Sequence, residues 1–342
     1  MRWSRTVTVV GVHAEGEAAR VIIGGVLPPP GTTMFERMCN LRDHGDSLRR
    51  LLLFEPRGAV TLSLNLVTPP CSPEADVGLI IMESQYYVPM SGSNTIGTVT
   101  ALLETGMLPM REPETVLTLD TPGGLVRVTA ECRNGRCVRV RFRNVPSFVL
   151  HRQRPVEVAG LGSVAVDVAY GGMLYAIVDA TRLGFSIEPS EARDLVDAGE
   201  RIKAAAAEQL PAVHPENPEI HTVNQTLFAG PLLPGGSGKT ARNAVVVSPG
   251  RLDRSPCGTG TSARLAVLHD RGQIGVGETL DHVSIIGTHF LGRVEEVVSV
   301  GGLSGVVNSV SGRGWVSSIG QYGLDPEDPL PEGYTLPDTW FA

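Results

Sequence analysis

One cysteine in a dense polar segment is the residue of this sequence best suited to chemistry. Residues 253–261 read Asp-Arg-Ser-Pro-Cys-Gly-Thr-Gly-Thr, and helical spacing follows. Pro256 disfavours helical backbone in the residue before it, so Cys257 is expected just ahead of a helix N-terminus. Unpaired N–H groups and the helix dipole favour an anion there, which lowers a thiol pKa and makes a thiolate base or nucleophile available. A buried structural cysteine is the alternative, and the surrounding Asp, Ser, Gly and Thr residues argue against it.

A second segment of similar type is Ser91-Gly92-Ser93, which precedes a predicted helix over Asn94–Glu104. Alone it is typical of a helix cap and turn. The hydroxyl pKa of serine lies far above neutrality, so a serine base needs activation by a neighbouring base. Two half-chains of similar length each carry such an element, which predicts two related α/β domains with a cleft between them.

Metal and nucleotide sites are not indicated. His151, His214 and His221 show no metal-ligand spacing. Residues 234–240 suggest a phosphate-binding loop, but the pattern requires glycine where the chain has Leu233, and a strand is predicted where a helix should follow. We therefore expect neither metal nor ATP or GTP.

Composition restricts the class of protein further. The chain has 342 residues, 42% of them hydrophobic, with 29 Lys and Arg against 36 Asp and Glu. This acidic balance argues against nucleic-acid binding, which needs excess positive charge. Five cysteines without paired spacing predict no disulfide framework and no zinc site, and favour a reduced, cytoplasmic protein. The longest apolar runs are too short for a signal peptide or a membrane span.

The hydrophobic patterning predicts many short strands and four helices. Residues 138–143 alternate strictly, which is typical of an antiparallel strand with one buried face. The predicted helices are Phe35–Leu53, Asn94–Glu104, Glu191–Gln209 and Thr261–Arg271. Other strands are predicted at residues 6–10, 20–23, 60–67, 77–82, 116–119, 126–129, 164–168, 174–178, 244–247, 282–286 and 293–298. Their close spacing argues against a doubly wound parallel sheet.

Several segments together resemble the proline racemase family. Asp253–Ala266 is similar to the second active-site motif of that family, and Met90–Gly97 is similar to the first. Supporting similarity is found at residues 13–17, 20, 24–25, 144–148, 170–176, 292–294 and 324–329. These matches extend over nearly the whole chain.

The resemblance implies the α+β fold of diaminopimelate epimerases. In that fold two similar domains, each a curled, mostly antiparallel sheet around a central helix, hold the active site in the cleft between them. The first domain is predicted over residues 1–145 with about 325–342, and the second over 146–324. The family implies a small-molecule substrate, hydroxyproline, with no cofactor and no metal; a homodimer is expected by resemblance alone.

The chain departs from the racemases at one position that matters for chemistry. Those enzymes carry a cysteine in both motifs, whereas the first is Ser91 here and Ser93 stands where histidine is frequent. Without an acidic thiol on that face, two-base proton exchange on proline should be impaired, whereas a single base suffices for elimination. Family members with one cysteine replaced resemble trans-3-hydroxy-L-proline dehydratases, so the resemblance implies an enzyme that converts trans-3-hydroxy-L-proline to Δ1-pyrroline-2-carboxylate through the Δ2 enamine.

The expected catalytic residues are Ser91 and Cys257, and the sequence leaves open which of them removes the α-proton. Motif position makes Ser91 the acceptor and Cys257 the donor, whereas thiol chemistry makes Cys257 the better acid and base. The predicted substrate-binding residues are Gly92, Ser93, Asp253, Gly258 and Thr259. Two alternatives stay open: a 4-hydroxyproline 2-epimerase, alone or bifunctional, and a non-catalytic imino-acid-binding protein.

Overall fold

The computed structural model describes residues 3–236 and 238–340, so Ser237, within the rejected phosphate-loop segment, lies outside the described residues. The chain forms two units. Unit 1 runs to Phe142 and resumes at Gly312, and unit 2 is Arg143–Ser311. The sequence places the return to the first unit near residue 325. In the structure unit 1 resumes at Gly312, and the strand over Gly314–Leu324 pairs along its length with Arg5–Ala14 of that unit.

The elements follow one another in the same way in both units. The elements of the N-terminal part of unit 1 are, in chain order, β1 (Arg5–Ala14), β2 (Glu17–Gly24), α1 (Met34–His44), α2 (Ser47–Leu53), β3 (Ser63–Thr68), β4 (Val77–Met82), β5 (Tyr87–Val88), α3 (Gly92–Glu104), β6 (Glu114–Thr121), β7 (Gly124–Arg133) and β8 (Arg136–Arg143). The remaining elements are β9 (Ser147–Val158), β10 (Gly162–Tyr170), β11 (Leu174–Asp179), α4 (Ala192–Gln209), β12 (Gln225–Ala229), β13 (Leu233–Gly235), β14 (Gly238–Val247), β15 (Arg251–Leu252), α5 (Gly258–Asp270), β16 (Thr279–Val283), β17 (His289–Val300), β18 (Leu303–Gly312) and β19 (Gly314–Leu324).

The sheet of unit 1 has the strand order β19-β1-β2-β3-β4-β6-β7-β8. Only the pairs β2–β3 and β4–β6 in this order are parallel. Parallel neighbours need a crossover connection. Here α1 and α2 supply the first crossover, and α3 supplies the second.

Unit 2 repeats this arrangement as β9-β10-β11-β12-β14-β16-β17-β18. Its parallel pairs are β11–β12 and β14–β16, which α4 and α5 connect. Strand β18 also pairs with β9, so the sheet closes on itself. The predicted class, two similar α+β domains with mostly antiparallel sheets, is confirmed.

Helices α3 and α5 are the central helices of their units. Every residue from Gly92 to Leu103 and from Gly258 to Leu268 is buried. A helix that is buried on all sides belongs to a core rather than to a surface. Both helix N-termini are therefore held by packing on every side, which gives rigid positions to the residues that precede them. Among the described residues, no helix combines the length and the apolar content required to cross a membrane.

The structure corrects one helix prediction and confirms one turn. The predicted helix Phe35–Leu53 is two helices, because α1 ends at Gly45, whose N–H donates to the carbonyl of Leu41. Between β7 and β8, Asn134 and Gly135 have φ values of +54° and +70°. Positive φ at both positions is typical of a two-residue hairpin turn, as the Asn-Gly pair predicts.

Candidate active site

A chain of hydrogen bonds holds the segment that leads into α5. Asp253 Oδ1 accepts from the N–H and the hydroxyl of Ser255 at 2.8 and 2.9 Å. The Ser255 oxygen accepts from the N–H of Cys257 at 3.1 Å, and the Asn243 side chain donates to the Pro256 carbonyl at 2.8 Å. These groups are buried, so their hydrogen bonds compete little with water. These hydrogen bonds therefore hold the backbone at the N-cap residue of α5 in one position.

Cys257, the N-cap residue of α5, has φ +65° and ψ +114°. Residues other than glycine rarely adopt positive φ, and such strain concentrates at functional sites. Its Sγ accepts from the N–H of Gly260 at 3.4 Å and lies 3.3 Å from the Tyr175 hydroxyl. That hydroxyl is also 2.6 Å from Oγ1 of Thr259, which is itself 3.8 Å from the sulfur. One backbone N–H and two hydroxyl groups, which bond to each other, thus surround the sulfur.

Burial determines the protonation state of Cys257 in the ligand-free protein. The residue is 6% exposed. Desolvation raises the pKa of its thiol well above the usual value, and the Asp253 carboxylate acts in the same direction. Hydrogen bonds from Tyr175, Gly260 and Thr259 lower the pKa by less. The prediction that this pKa is lowered is therefore wrong, because the free-energy cost of desolvating a thiolate exceeds the stabilisation that the helix N-terminus gives it.

The turn between β10 and β11 packs directly on the first turn of α5. A Cβ at Gly171 would lie 2.2 Å from the Thr259 carbonyl oxygen and 2.4 Å from the Ala263 nitrogen. Only glycine permits this approach. The Asn144 side chain joins both parts, since its Nδ2 donates to the Gly171 carbonyl and to Oγ of Ser262, each at 2.8 Å. Residues far apart in sequence thereby position Tyr175 beside the thiol.

Ser91 occupies the same position at α3, but it is held differently. Its backbone is extended, with φ −148° and ψ +130°, and its side chain caps no N–H among the described residues. Its Oγ instead accepts from Asn94 Nδ2 at 2.9 Å. Asn94 Oδ1 accepts in turn from Asn65 Nδ2 at 3.0 Å, and both asparagines are almost completely buried. The hydroxyl oxygen is therefore fixed, and its own proton remains to be donated.

The structure places the predicted site residues in two groups, one in each unit. Unit 1 holds Ser91, Gly92 and Ser93 at the start of α3, and unit 2 holds Asp253, Cys257, Gly258 and Thr259 at the start of α5. Sequence reasoning assigned no role to Tyr175 or to Asn94, which contact the two reactive side chains. Both lie in segments that carry the family resemblance, and that was the only signal that could have found them.

The sequence pattern described as proline racemase matches residues 9–335. The chain belongs to the proline racemase family. A hydroxyproline epimerase from Agrobacterium vitis, solved with bound trans-4-hydroxy-L-proline, is 42% identical with a TM-score of 0.92, and the match covers 100% of this chain and 98% of that one. A probable proline racemase from Agrobacterium radiobacter, solved with bound carbonate, is also 42% identical, with a TM-score of 0.91 and 98% of both chains covered.

More distant structures share the fold of this proline racemase family member. A phenazine biosynthesis protein of the PhzF family from Bacillus anthracis is 13% identical, with a TM-score of 0.58 and coverage of 93% of this chain and 99% of that one. A predicted epimerase from Pseudomonas aeruginosa is 14% identical, with a TM-score of 0.57 and coverage of 94% and 99%. The family and the full-length relatives make the chain an enzyme of the isomerase type that acts on a small molecule.

Proposed function

We propose that the protein is a 4-hydroxyproline 2-epimerase, which inverts the configuration at Cα of 4-hydroxyproline. The observation that carries this proposal is the similarity, at 42% identity over the full chain, to a hydroxyproline epimerase that binds trans-4-hydroxy-L-proline. The sequence alone favours dehydration, because Ser91 replaces a thiol. The full-length similarity favours epimerisation over dehydration, and dehydration remains the second candidate.

Inversion requires that one group remove the Cα proton and that a second group protonate the opposite face. We assign these roles to Cys257 and Ser91. A thiol is far more acidic than an alcohol. In one direction the Cys257 thiolate therefore takes the proton as the Cα–H bond breaks, and the Ser91 hydroxyl protonates the carbanion. Ser91 then recovers a proton, Cys257 loses one, and the reverse reaction passes through the same states.

The two helix N-termini supply the proposed binding groups. Backbone N–H groups at a helix N-terminus suit a carboxylate, and Gly92 and Ser93 on α3 with Gly258 and Thr259 on α5 offer such groups. Asp253 is proposed to meet the imino nitrogen, and its hydrogen bonds with Ser255 hold its carboxylate in place. Substrate that excludes water also strengthens each of these interactions.

Dehydration of trans-3-hydroxy-L-proline is the second candidate, and the alcohol at residue 91 favours it. Here the Cα–H bond breaks, the proton passes to the base, and the C3–O bond breaks as hydroxide leaves with a proton as water. The resulting Δ2-pyrroline-2-carboxylate then tautomerises to the Δ1 form. This reaction needs one base and no protonation of Cα from the opposite face. A non-catalytic imino-acid-binding protein is the third reading.

Proton NMR in D2O separates these functions. Trans-4-hydroxy-L-proline, trans-3-hydroxy-L-proline and L-proline are each incubated with the purified enzyme. We expect the 4-hydroxy substrate to gain deuterium at Cα and to yield cis-4-hydroxy-D-proline. Ring unsaturation from the 3-hydroxy substrate without inversion of the 4-hydroxy substrate would instead identify a dehydratase. Calorimetric binding without turnover, if it survives Cys257→Ser, would identify a binding protein.

A further inference from the structure

Unit 2 contains a cavity that the proposed reaction does not use. Its volume is about 360 Å³, and its walls come from β10, β11, the segment after β12, and α5. None of the residues placed around the Cys257 sulfur lines it. The cavity reaches α5 at Arg264, two helical turns beyond Cys257 and about 10 Å farther along the helix axis. A volume of this size is sufficient for a small organic molecule.

Arg264 is a buried cation without an acceptor. It is 7% exposed and lines the cavity. Its Nε lacks a hydrogen-bond partner, and no hydrogen bond or ion pair joins its guanidinium to another part of the chain that the structure describes. Burial and the nearby Arg271 guanidinium lower the pKa of Arg264 to about 10, so the group stays charged at neutral pH. A buried, unpaired charge is costly for the folded state unless a ligand compensates it.

The two carboxylates in the cavity wall are occupied by other donors. Asp167 accepts from the backbone N–H and the side-chain amide of Gln153 at 2.9 and 3.1 Å, and it pairs with Arg271. Asp179 Oδ1 accepts from the N–H and the hydroxyl of Thr181 at 2.9 and 2.6 Å. Both attract Arg264 through space without a hydrogen bond to it. The guanidinium therefore keeps its N–H donors for something that enters the cavity.

The charge and the wall composition define the ligand. Arg182, Arg264 and Arg271 face Asp167 and Asp179, which leaves one excess positive charge for a monoanion. Apolar side chains also line the cavity, among them Ala165, Ile177, Leu183 and Leu232, beside the polar groups of Gln153, Ser163 and Gln273. We propose that this cavity binds a small carboxylate anion, with its oxygens on the Arg264 guanidinium and its short aliphatic body against these apolar side chains. The planar fork of arginine matches a carboxylate with two parallel hydrogen bonds.

Isothermal titration calorimetry on the full chain tests this site with three probes: isovalerate, the uncharged isovaleramide, and inorganic phosphate. We expect isovalerate to bind at one site and isovaleramide to bind much more weakly. Arg264→Met removes the cation and should weaken isovalerate binding by about tenfold or more. Arg154→Met removes an exposed arginine of β9 and is the matched control, which should bind like the wild type.

A second variant keeps the test valid if Arg264→Met is poorly folded. Ala165 has the same side-chain parity on β10 as Asp167, so Ala165→Phe fills the cavity and leaves the cation in place. It should also weaken isovalerate binding by about tenfold or more. The site is refuted if no probe binds the wild type, if isovalerate binds both variants unchanged, or if phosphate binds and isovalerate does not. None of these residues is assigned to the Cα chemistry, so this outcome is independent of the proposed epimerisation.

Discussion

The two units place different reactive groups at the same point of the same topology. In each, a buried helix connects two parallel strands and begins just after a small side chain, Ser91 at α3 and Cys257 at α5. Ser91 has extended backbone and accepts from a side-chain amide, whereas Cys257 has φ +65° and accepts from a backbone N–H of its own helix. One helix start carries an alcohol held by its neighbours. The other carries a thiol held by the helix itself.

This difference separates the roles of two equivalent positions. Ser91 Oγ accepts from Asn94, which leaves its own proton free to point elsewhere, so we assign it the protonation of the face opposite Cys257 in the direction in which the thiolate takes the Cα proton. Cys257 is buried as a thiol, yet the Gly260 N–H and the linked hydroxyls of Tyr175 and Thr259 lie beside its sulfur and can stabilise a thiolate once one forms. The proposed catalytic asymmetry thus rests on local contacts, because the topology around both residues is shared. Substitutions at the two positions should have unequal effects.

The largest effect is expected for Cys257→Ala. Loss of the proposed ionisable group should lower kcat/KM for trans-4-hydroxy-L-proline by about 10²- to 10⁴-fold, while binding by calorimetry persists. Cys39→Ala, in α1 of unit 1, is the matched control and should retain activity. Full activity of Cys257→Ala would remove the thiol from the mechanism.

Changes at Ser91 test the other half of the comparison. Ser91→Ala removes the proposed donor and should lower the rate of inversion by about 10²-fold, within the range for a single acid or base. Ser91→Cys places a thiol at both helix starts and should add racemisation of L-proline, measured as α-deuteration with inversion. If Ser91→Ala inverts 4-hydroxyproline as fast as the wild type, the opposite face is protonated by another group.

The pH profile tests the effect of burial on Cys257. Its pKa is raised in the folded protein, so only a small fraction is thiolate at pH 7. If the thiolate is the base, kcat/KM should rise about tenfold per pH unit, with an apparent pKa above about 8.5, the value of a free thiol. The helix N-terminus alone predicts a value below that of a free thiol, so the two expectations have opposite sign. A profile that is level between pH 7 and 9 would contradict the buried thiol.

Tyr175→Phe should have the smallest of these effects. The Tyr175 hydroxyl lowers the pKa of the Cys257 thiol, so its removal should raise that pKa further, reduce the thiolate fraction at neutral pH and lower kcat/KM by about tenfold or less. Because the pH stays below this pKa in both proteins, the loss should be equal across the neutral range, and alkylation of Cys257 by iodoacetamide, which requires the thiolate, should slow by the same factor. An unchanged alkylation rate would show that Tyr175 acts on packing instead. Tyr170→Phe, in the same turn region, is a suitable control.

Local signals explain which parts of the fold were predictable. Short apolar runs located most strands, strict alternation located residues 138–143, and the Asn-Gly pair located the hairpin turn of β7 and β8. Strand β9 was missed because its Arg-Gln-Arg-Pro stretch, residues 152–155, is polar and exposed. The helix break at Gly45 was missed because apolar residues continue at helical spacing beyond it. Both misses occur where tertiary context overrides a local pattern.

The residues of the candidate site also fall into those that a local motif indicates and those that only the fold brings close. Cys257 and Ser91 were predictable because each belongs to a compact motif beside a helix start. Tyr175 lies 82 residues before Cys257, and Asn65 lies 29 residues before Asn94. Single-sequence reasoning had no means of bringing those pairs together. The sequence could not predict that Arg264 lacks a partner either, because the pairing of an arginine depends on every chain segment that packs around it.

By itself, the sequence determined the family and the helix starts at Ser91 and Cys257, and it proposed these two side chains as the reactive ones, because all of this depends on residue type and short-range spacing. Only the tertiary structure decided the protonation state of Cys257, the amide support of Ser91 and the unpaired charge of Arg264. Each of those depends on how much water remains around a group and on which donors from distant segments reach it. Solvation is a property of the folded packing, and no local pattern encodes it.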